Sequence, residues 1–362
     1  MPKFECFNNL NGFKRPFFLN ILLSLFIFIF IFIFTFTFTF TFTSIIASRA
    51  FADDLSALTD VSGASSAEIS LIYFMPVGSL SNPFIKIAEV GIQLSASLYP
   101  QIKTSRIYLY HDHRIQDYIK GILAAGDHAY IVGIGSNYAA IFDELADIYT
   151  DRRFIVIDAM AANDKVKSIQ FDNFEAGYMA GAAAAAVTKN CKAGFIGGTR
   201  NKVILDFENG FKAAFLKNIP AVKKGDIMVE YVAGGAEGFS DTPAGEKLAD
   251  KMYSAGCDVI FAAAGASGLG AIESAKKRKR YIIGVDSDQD SIAPGRVVTS
   301  VIKRMDSAIL NLAEDIALNK YDNKPITYSF NNAGLTFSAF KHTKNKLGVK
   351  KYNKIFDALF SR

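Results

Sequence analysis

The chain has 362 residues and a net charge of +5, from 40 Lys and Arg against 35 Asp and Glu. Its first 52 residues hold four basic residues and one acidic residue, so the rest carries only +2, and no nucleic-acid partner is predicted. The sequence contains only four His, which argues against a His-based metal site, and we predict neither a metal nor a cofactor.

Residues 1–52 have the pattern of an export signal. A basic N-terminus precedes a long apolar run, and Ala50 and Ala52 form a small-x-small cleavage site in front of two Asp residues. We therefore predict export to the periplasm, with cleavage after Ala52. The apolar run is also long enough to span a bilayer, so an uncleaved N-terminal membrane anchor is the alternative.

Strands and helices alternate in the first half of the remaining chain. The strands are almost continuously apolar, which is typical of a parallel sheet covered by helices on both faces. Polar turns that contain Gly or Pro separate these elements. We predict strands at 69–75, 106–112, 129–135, 153–160 and 167–172, and helices at 83–100, 117–127 and 137–151.

The same alternation restarts after residue 172, which predicts a second α/β lobe of similar size. Thr242 is predicted to cap one of its helices and Gly256 to end it. Residues 326–340 are predicted to form a pair of strands that turns at 332–334. The other predicted elements are helices at 174–189, 203–218, 242–256, 269–279 and 305–319, and strands at 192–198, 226–233, 258–265, 281–286 and 298–302.

Two features of the second lobe suggest ordinary structural roles. Cys191 and Cys257 could pair in an oxidising compartment, but we expect two separate, small, buried residues. The run KKRKR at 276–280 follows a helical pattern, so we interpret it as the solvated C-terminus of a helix rather than a binding patch.

Ligands bind at the carboxyl ends of strands in open parallel sheets, and several candidate residues are predicted there. Asp286 ends a strand, where it could accept hydrogen bonds from vicinal hydroxyls or cap a turn. Lys303 is expected to reach the same cleft from the next strand and to pair with Asp286. Gly265 begins a Gly-rich turn before a helix, which either packs or contacts a ligand.

Two aromatic residues fall outside the periodic core pattern. Phe84 and Phe239 occur in polar turns rich in Gly and Ser, where a ring either faces a cleft or packs within its loop. Two such rings from opposite lobes could stack on a planar base. No motif of a hydrolase or metalloenzyme is present, so the sequence predicts a binding protein rather than an enzyme.

The chain resembles the basic-membrane-protein family of ABC-transporter substrate-binding proteins, whose members include purine nucleoside receptors. The resemblance lies in FEAGYMAGAAAAAVTK, GFIGG, YIIGVDSDQD and VTSVIKRMDSAI. It implies a type I periplasmic-binding fold of two doubly wound lobes joined by three crossovers. Lobe I would comprise residues 68–170 and 286–318, and lobe II residues 171–285 and 319–362.

The resemblance also implies roles for individual residues. Phe84 and Phe239 correspond to the stacking phenylalanines, Asp286 and Lys303 to the residues that hold the ribose, and Gly265 to the glycine of an Ala-Ala-Gly turn. The family usually has an aspartate shortly before the first phenylalanine and an asparagine after it. Here Ser79, Ser81 and Asn82 occupy the first stretch and Ile85 follows the ring, so the base preference stays open.

We therefore expect a monomeric, exported solute-binding protein that delivers a nucleoside, and specifically a purine nucleoside, to an ABC permease. Asn82 and Ser136 are expected to read the edge of the base. Three alternatives remain at this point: a binding protein for a sugar or another heterocycle such as a flavin, a nucleoside hydrolase or phosphorylase, and a membrane-anchored sensor.

Overall fold

The computed structural model describes residues 69–76, 81–109, 114–222 and 226–360. The expected leader at 1–52 and its cleavage site lie outside these ranges. No helix within the described ranges is both long and apolar enough to cross a membrane.

The first lobe is built on a parallel sheet in the order β11-β5-β4-β3-β1-β2. Its four inner strands are mostly buried, whereas the two edge strands, 102–109 and 326–328, are partly exposed, and four helices accompany the sheet. The strands are β1 (Ile69–Pro76), β2 (Ile102–Leu109), β3 (Tyr130–Ile134), β4 (Arg153–Ile157), β5 (Val166–Phe171) and β11 (Ile326–Tyr328). The helices are α1 (Pro83–Leu98), α2 (Ile115–Ala125), α3 (Ala139–Ile148) and α8 (Met305–Ala317), of which α8 packs on α1.

The second lobe has a sheet in the order β12-β10-β9-β8-β6-β7, parallel except for β12, which runs antiparallel to β10. Its strands are β6 (Ala193–Gly197), β7 (Ile227–Tyr231), β8 (Val259–Ala263), β9 (Tyr281–Asp286), β10 (Val297–Lys303) and β12 (Leu335–Phe337). Its helices are α4 (Asn173–Val187), α5 (Lys202–Asn218), α6 (Thr242–Ser254), α7 (Ser267–Lys277) and α9 (Lys344–Phe360). The prediction of two doubly wound α/β lobes is confirmed.

The chain passes between the two sheets three times, after β5, after β10 and after β11. The second passage differs from the sequence-based boundary at 286, because β10 pairs in parallel with β9 and so lies in lobe II. The two C-terminal strands also differ from expectation. They do not pair with each other, because β11 joins β5 in lobe I and β12 joins β10 in lobe II. The turn between them is therefore the third crossover.

Close packing of α4 against α5 fixes the helix that contributes most to the site. The Gly- and Ala-rich α4 is buried almost all round. A Cβ atom at Gly177 would lie 2.1 Å from the carbonyl oxygen of Phe207, and one at Gly210 would lie 1.9 Å from that of Phe174. Only glycine at both positions permits this approach, which holds α5 and its Phe207 against the sheet.

Smaller differences from the sequence analysis have local causes. Asp241, not Thr242, caps α6, because its carboxylate accepts the Ala244 N–H at 2.9 Å. Cys257 is buried as expected, but Cys191 is exposed in a polar turn, and both thiols are free. The C-terminal helix α9, which is interrupted at Gly348 (φ 71°), was not predicted.

Candidate functional site

A cavity of about 680 Å³ is lined by residues of both lobes. Its wall includes the carboxyl ends of several strands and the first turns of α1 and α5, the edge at which ligands bind in open parallel sheets. All seven residues predicted from the sequence line this cavity: Asn82, Phe84, Ser136, Phe239, Gly265, Asp286 and Lys303.

The two predicted aromatic residues reach the cavity from opposite lobes. Phe84 lies in the first turn of α1, and Phe239 ends the short 3₁₀ turn Ala236–Phe239 of lobe II. Both rings are half-buried at the edge of the main core. Each therefore combines a packed side with a side that lines the cavity, as a stacking platform requires.

The Phe239 ring packs directly against Gly198, the last residue of GFIGG. A Cβ atom at this position would lie 2.4 Å from both Cδ1 and Cε1 of Phe239. From the sequence, GFIGG is predicted to end a strand, and it is one of the motifs that carry the family resemblance. The structure adds a steric reason for the last glycine, because any larger residue would displace the Phe239 ring from the cavity wall.

The lobes approach each other closely at Asn82 and Gly265. Asn82 caps α1, its Oδ1 accepting the Phe84 N–H at 3.1 Å. A Cβ atom at Gly265 would lie 3.3 Å from both Asn82 Nδ2 and Phe239 Cβ. Gly265 adopts φ +55°, which an L-residue reaches only with strain. This glycine thus lets the turn before α7 pass close to the two residues.

A buried ion pair crosses between the lobes at the cavity wall. Lys303, at the end of β10, donates from Nζ to Oδ1 and Oδ2 of Asp158 at 2.8 and 2.9 Å. Both side chains are buried, and the ammonium also lies over the rings of Phe207 and Phe171, at 4.9 and 5.6 Å from their centroids. The expected pairing of Lys303 with Asp286 is therefore wrong. Asp158, which directly follows β4, supplies the nearer carboxylate.

Asp286 is a buried carboxylate at the end of β9, and no other described residue donates a hydrogen bond to it. Burial raises its pKa from the ordinary value of 3.8 to about 6; the positive charge of Lys303 opposes this rise and the negative charge of Asp158 adds to it. Its backbone is left-handed (φ +65°). The following loop is fixed by Gln289, whose Oε1 accepts the Val285 N–H at 3.0 Å.

Ser136 lines the cavity from the 3₁₀ turn after β3, next to Asn137. Several lining residues were not singled out from the sequence: Asn137, Asp158, Asn201, Phe207 and Glu237. Asp158 and Asn201 follow strands at the carboxyl edge, so their position in the chain was a usable signal. Phe207 lies inside an amphipathic helix, and its sequence pattern is that of any core residue.

The sequence profile described as ABC transporter substrate-binding protein PnrA-like matches residues 99–358 of the chain. The chain is 31% identical over 234 residues to Basic membrane protein D of Borreliella burgdorferi, covering 63% of the chain and 64% of that relative. It is 30% identical over 247 residues to the ABC transporter nucleoside-binding protein BmpA of Lactococcus lactis, covering 62% of the chain and 68% of that relative.

The fold is also similar to that of solved structures. A solute-binding protein of an ABC transporter system from Aeropyrum pernix superposes with a TM-score of 0.69 at 19% identity, covering 81% of this chain and 85% of that one. A solute-binding protein from Conexibacter woesei gives a TM-score of 0.62 at 16% identity, covering 81% and 95%. At such identities the likeness concerns the fold alone, and it agrees with the two-lobed type I periplasmic-binding architecture.

Proposed function

The chain belongs to the family of PnrA-like ABC transporter substrate-binding proteins, and on that premise we propose that it binds a nucleoside in the cavity between its lobes. The BmpA relative is named as a nucleoside-binding protein. The proposed ligand is a purine nucleoside, and the proposed role is its delivery to an ABC permease after export of the protein.

The observation that carries this proposal is the combination of two kinds of surface in one cavity. Phe84 and Phe239 offer aromatic faces from opposite lobes, and Asp286 offers a buried carboxylate that no described protein group satisfies. A nucleoside is a flat ring joined to a vicinal diol, so it matches both. Stacking of the base contributes roughly 1–3 kcal/mol for each aromatic residue.

The carboxylate of Asp286 is suited to the ribose because it is an acceptor without a protein donor. Both 2′- and 3′-hydroxyls can donate to its two oxygens, forming the short, strong hydrogen bonds typical of ionised acceptors. Lys303 is already held by Asp158, so it does not compete for Asp286. We propose that Lys303 contributes a positive field near the ribose while it keeps this partner.

The edge of the base would be read by polar groups of lobe I. The Oδ1 atom of Asn82 caps α1, which leaves the side-chain NH₂ group as its donor. Ser136 and Asn137 supply a hydroxyl and an amide from the turn after β3. Amide and hydroxyl groups can serve N and O atoms of a purine edge as both donors and acceptors.

The mechanism that follows is closure of two lobes around the ligand. A nucleoside that contacts Phe84 in lobe I and Asp286 in lobe II binds the closed arrangement better than an open one, so it shifts the population toward closure. In the proposed transport cycle a permease recognises the closed, loaded protein.

Calorimetric titration with inosine, guanosine, adenosine, cytidine, ribose and riboflavin tests the proposal. We expect tight binding of at least one purine nucleoside, weaker binding of cytidine and no measurable binding of ribose. Tight binding of ribose or riboflavin without a nucleoside response would instead identify a sugar or flavin receptor. Free base and ribose after long incubation with inosine would identify an enzyme, although neither His nor Cys lines the described cavity.

A further inference from the structure

Six lysines lie close together in the chain around the C-terminal helix α9, and we call them the C-terminal lysine patch: Lys341, Lys344, Lys346, Lys350, Lys351 and Lys354. Lys351 is half-buried and the other five are exposed. The only acidic residue between positions 341 and 360 is Asp357, so this segment has a net charge of +5, as large as that of the whole chain.

The patch differs from the other basic segment because its charges are not neutralised. Among the described residues, none of its six lysines forms an ion pair with a carboxylate. In the run KKRKR, by contrast, Lys277 pairs with Glu246 at 2.5 Å and Arg278 with Asp250 at 2.5 Å, both acids lying on the neighbouring α6. Lys276 lies 3.6 Å from Glu273. Three of the five charges in the run are therefore paired with carboxylates, and the run ends a helix, as predicted from the sequence.

Exposed apolar side chains accompany the patch. Val349, directly after the interruption of α9 at Gly348, is 76% exposed. Ile292 is 46% exposed in the loop before β10. This loop adjoins the patch, since a Cβ atom at Gly295 would lie 2.3 Å from Lys346 Nζ. Basic side chains mixed with exposed apolar ones are the composition of surfaces that lie in a membrane interface.

We propose that the C-terminal lysine patch is a docking surface for an anionic lipid bilayer. All six cations are lysines, and none is an arginine. Lysine is a mobile point charge, which suits diffuse attraction to a charged plane, whereas discrete phosphate or carboxylate recognition favours the planar fork of arginine. Each lysine near an anionic leaflet contributes about 1 kcal/mol, and the attraction decays within a Debye length.

This surface lies outside the ligand cavity, since none of its residues lines it. Docking of lobe II through α9 would keep the protein at the membrane plane, independently of the fate of the N-terminal segment and of the identity of the ligand. The proposal therefore stands or falls separately from the proposed nucleoside binding.

The test compares two triple variants of the full chain that lose the same charge. The first is Lys346→Gln/Lys350→Gln/Lys354→Gln in the patch; the control is Lys276→Gln/Lys277→Gln/Arg278→Gln, the three paired residues of the run KKRKR. Partition of each protein is measured by sedimentation with vesicles of phosphatidylcholine alone and of phosphatidylcholine mixed with phosphatidylglycerol. All proteins carry the same residues 1–52, so any contribution of that apolar segment cancels in the comparison.

We expect the wild-type protein to prefer the anionic vesicles, and this preference to vanish at about 1 M salt, where the Debye length is about 3 Å. The patch variant should lose on the order of a hundredfold in partition to anionic vesicles. The control should change only a few-fold, because its three cations are held against carboxylates of their own protein surface and are not free to face the lipid. Equal losses in both variants, no loss in the patch variant, or equal binding to both kinds of vesicle would overturn the proposal.

Discussion

Replacement of Asp286 by Asn is expected to stabilise the unliganded protein while it weakens ligand binding. Asn preserves the size of the side chain and tolerates the left-handed backbone at this position (φ +65°). It removes only the buried charge that no described residue satisfies. Opposite effects on stability and on affinity are the signature of a residue kept for function.

The expected increase in the free energy of unfolding follows from the pKa of the Asp286 carboxyl. Burial raises it from 3.8 to about 6, and one unit of pKa corresponds to about 1.4 kcal/mol between the two protonation states. At pH 7.5 the ionised carboxylate therefore lowers the free energy of unfolding by about 3 kcal/mol, and Asp286→Asn should recover up to that amount. Nucleoside affinity should fall by about 1.5–3 kcal/mol, the contribution of hydrogen bonds to a charged acceptor.

The pH dependence of the stability difference between Asp286→Asn and wild type distinguishes removal of the buried charge from a general change in packing. Because the pKa of Asp286 is higher in the folded than in the unfolded chain, its stabilising contribution is complete below about 3.8 and is lost as pH rises through about 6. The stability advantage of the variant should therefore be largest above pH 7 and disappear toward pH 4. Nucleoside affinity of the wild type should decline below about pH 6, while that of the variant stays flat.

Urea denaturation at a series of pH values measures the effect of Asp286→Asn on stability. Calorimetric titration at the same pH values measures its effect on nucleoside affinity. Asp288→Asn is the matched control, because Asp288 is an exposed acid two residues further along the same loop. The control should change neither quantity. A variant at Asp286 that is less stable than wild type at pH 7.5, or that binds nucleoside with unchanged affinity, would refute the reasoning.

Further substitutions probe the aromatic wall and the interlobe ion pair. Phe84→Ala and Phe239→Ala should each weaken nucleoside binding by roughly 1–3 kcal/mol by calorimetry; wild-type affinity in either would remove that ring from the site. Gly198→Ala should reproduce the loss seen for Phe239→Ala, because its Cβ would lie 2.4 Å from the ring, and normal affinity with an unchanged circular dichroism spectrum would contradict this. Asp158→Asn should lower the free energy of unfolding by about 3–5 kcal/mol, since Lys303 is left buried without its counter-ion; an unchanged urea midpoint would contradict it.

The local sequence pattern was sufficient to predict most of the strands and helices, because their periodicity depends on neighbouring residues alone. The strand at 281–286 was predicted with the bounds that the structure gives, and the helix predicted at 174–189 is α4 (Asn173–Val187). Membership of a lobe, however, depends on which strands pair. The strands 297–303 and 326–328 were assigned to the wrong lobe for this reason, and the strand 335–337 was assigned to the right lobe but to the wrong partner, since nothing in their own residues specifies which strand they pair with.

In the candidate site, too, the local sequence predicted which residues take part but not the contacts that depend on the arrangement of the lobes. The seven predicted residues line one cavity, since position at a strand end or in a polar turn was an informative local signal. The partner of Lys303 was not predictable in this way. Asp158 and Asp286 both end strands, and only the arrangement of the two lobes brings Asp158 within 2.8 Å of the ammonium. The steric role of Gly198 likewise depends on a ring 41 positions further along the chain.

The structure of the protein in complex with the purine nucleoside that it binds most tightly tests the central claim most directly. We expect the base between the rings of Phe84 and Phe239, and the two ribose hydroxyls within hydrogen-bond distance of Asp286. A nucleoside bound outside this cavity, or bound in it with the base in contact with neither ring, would contradict the account.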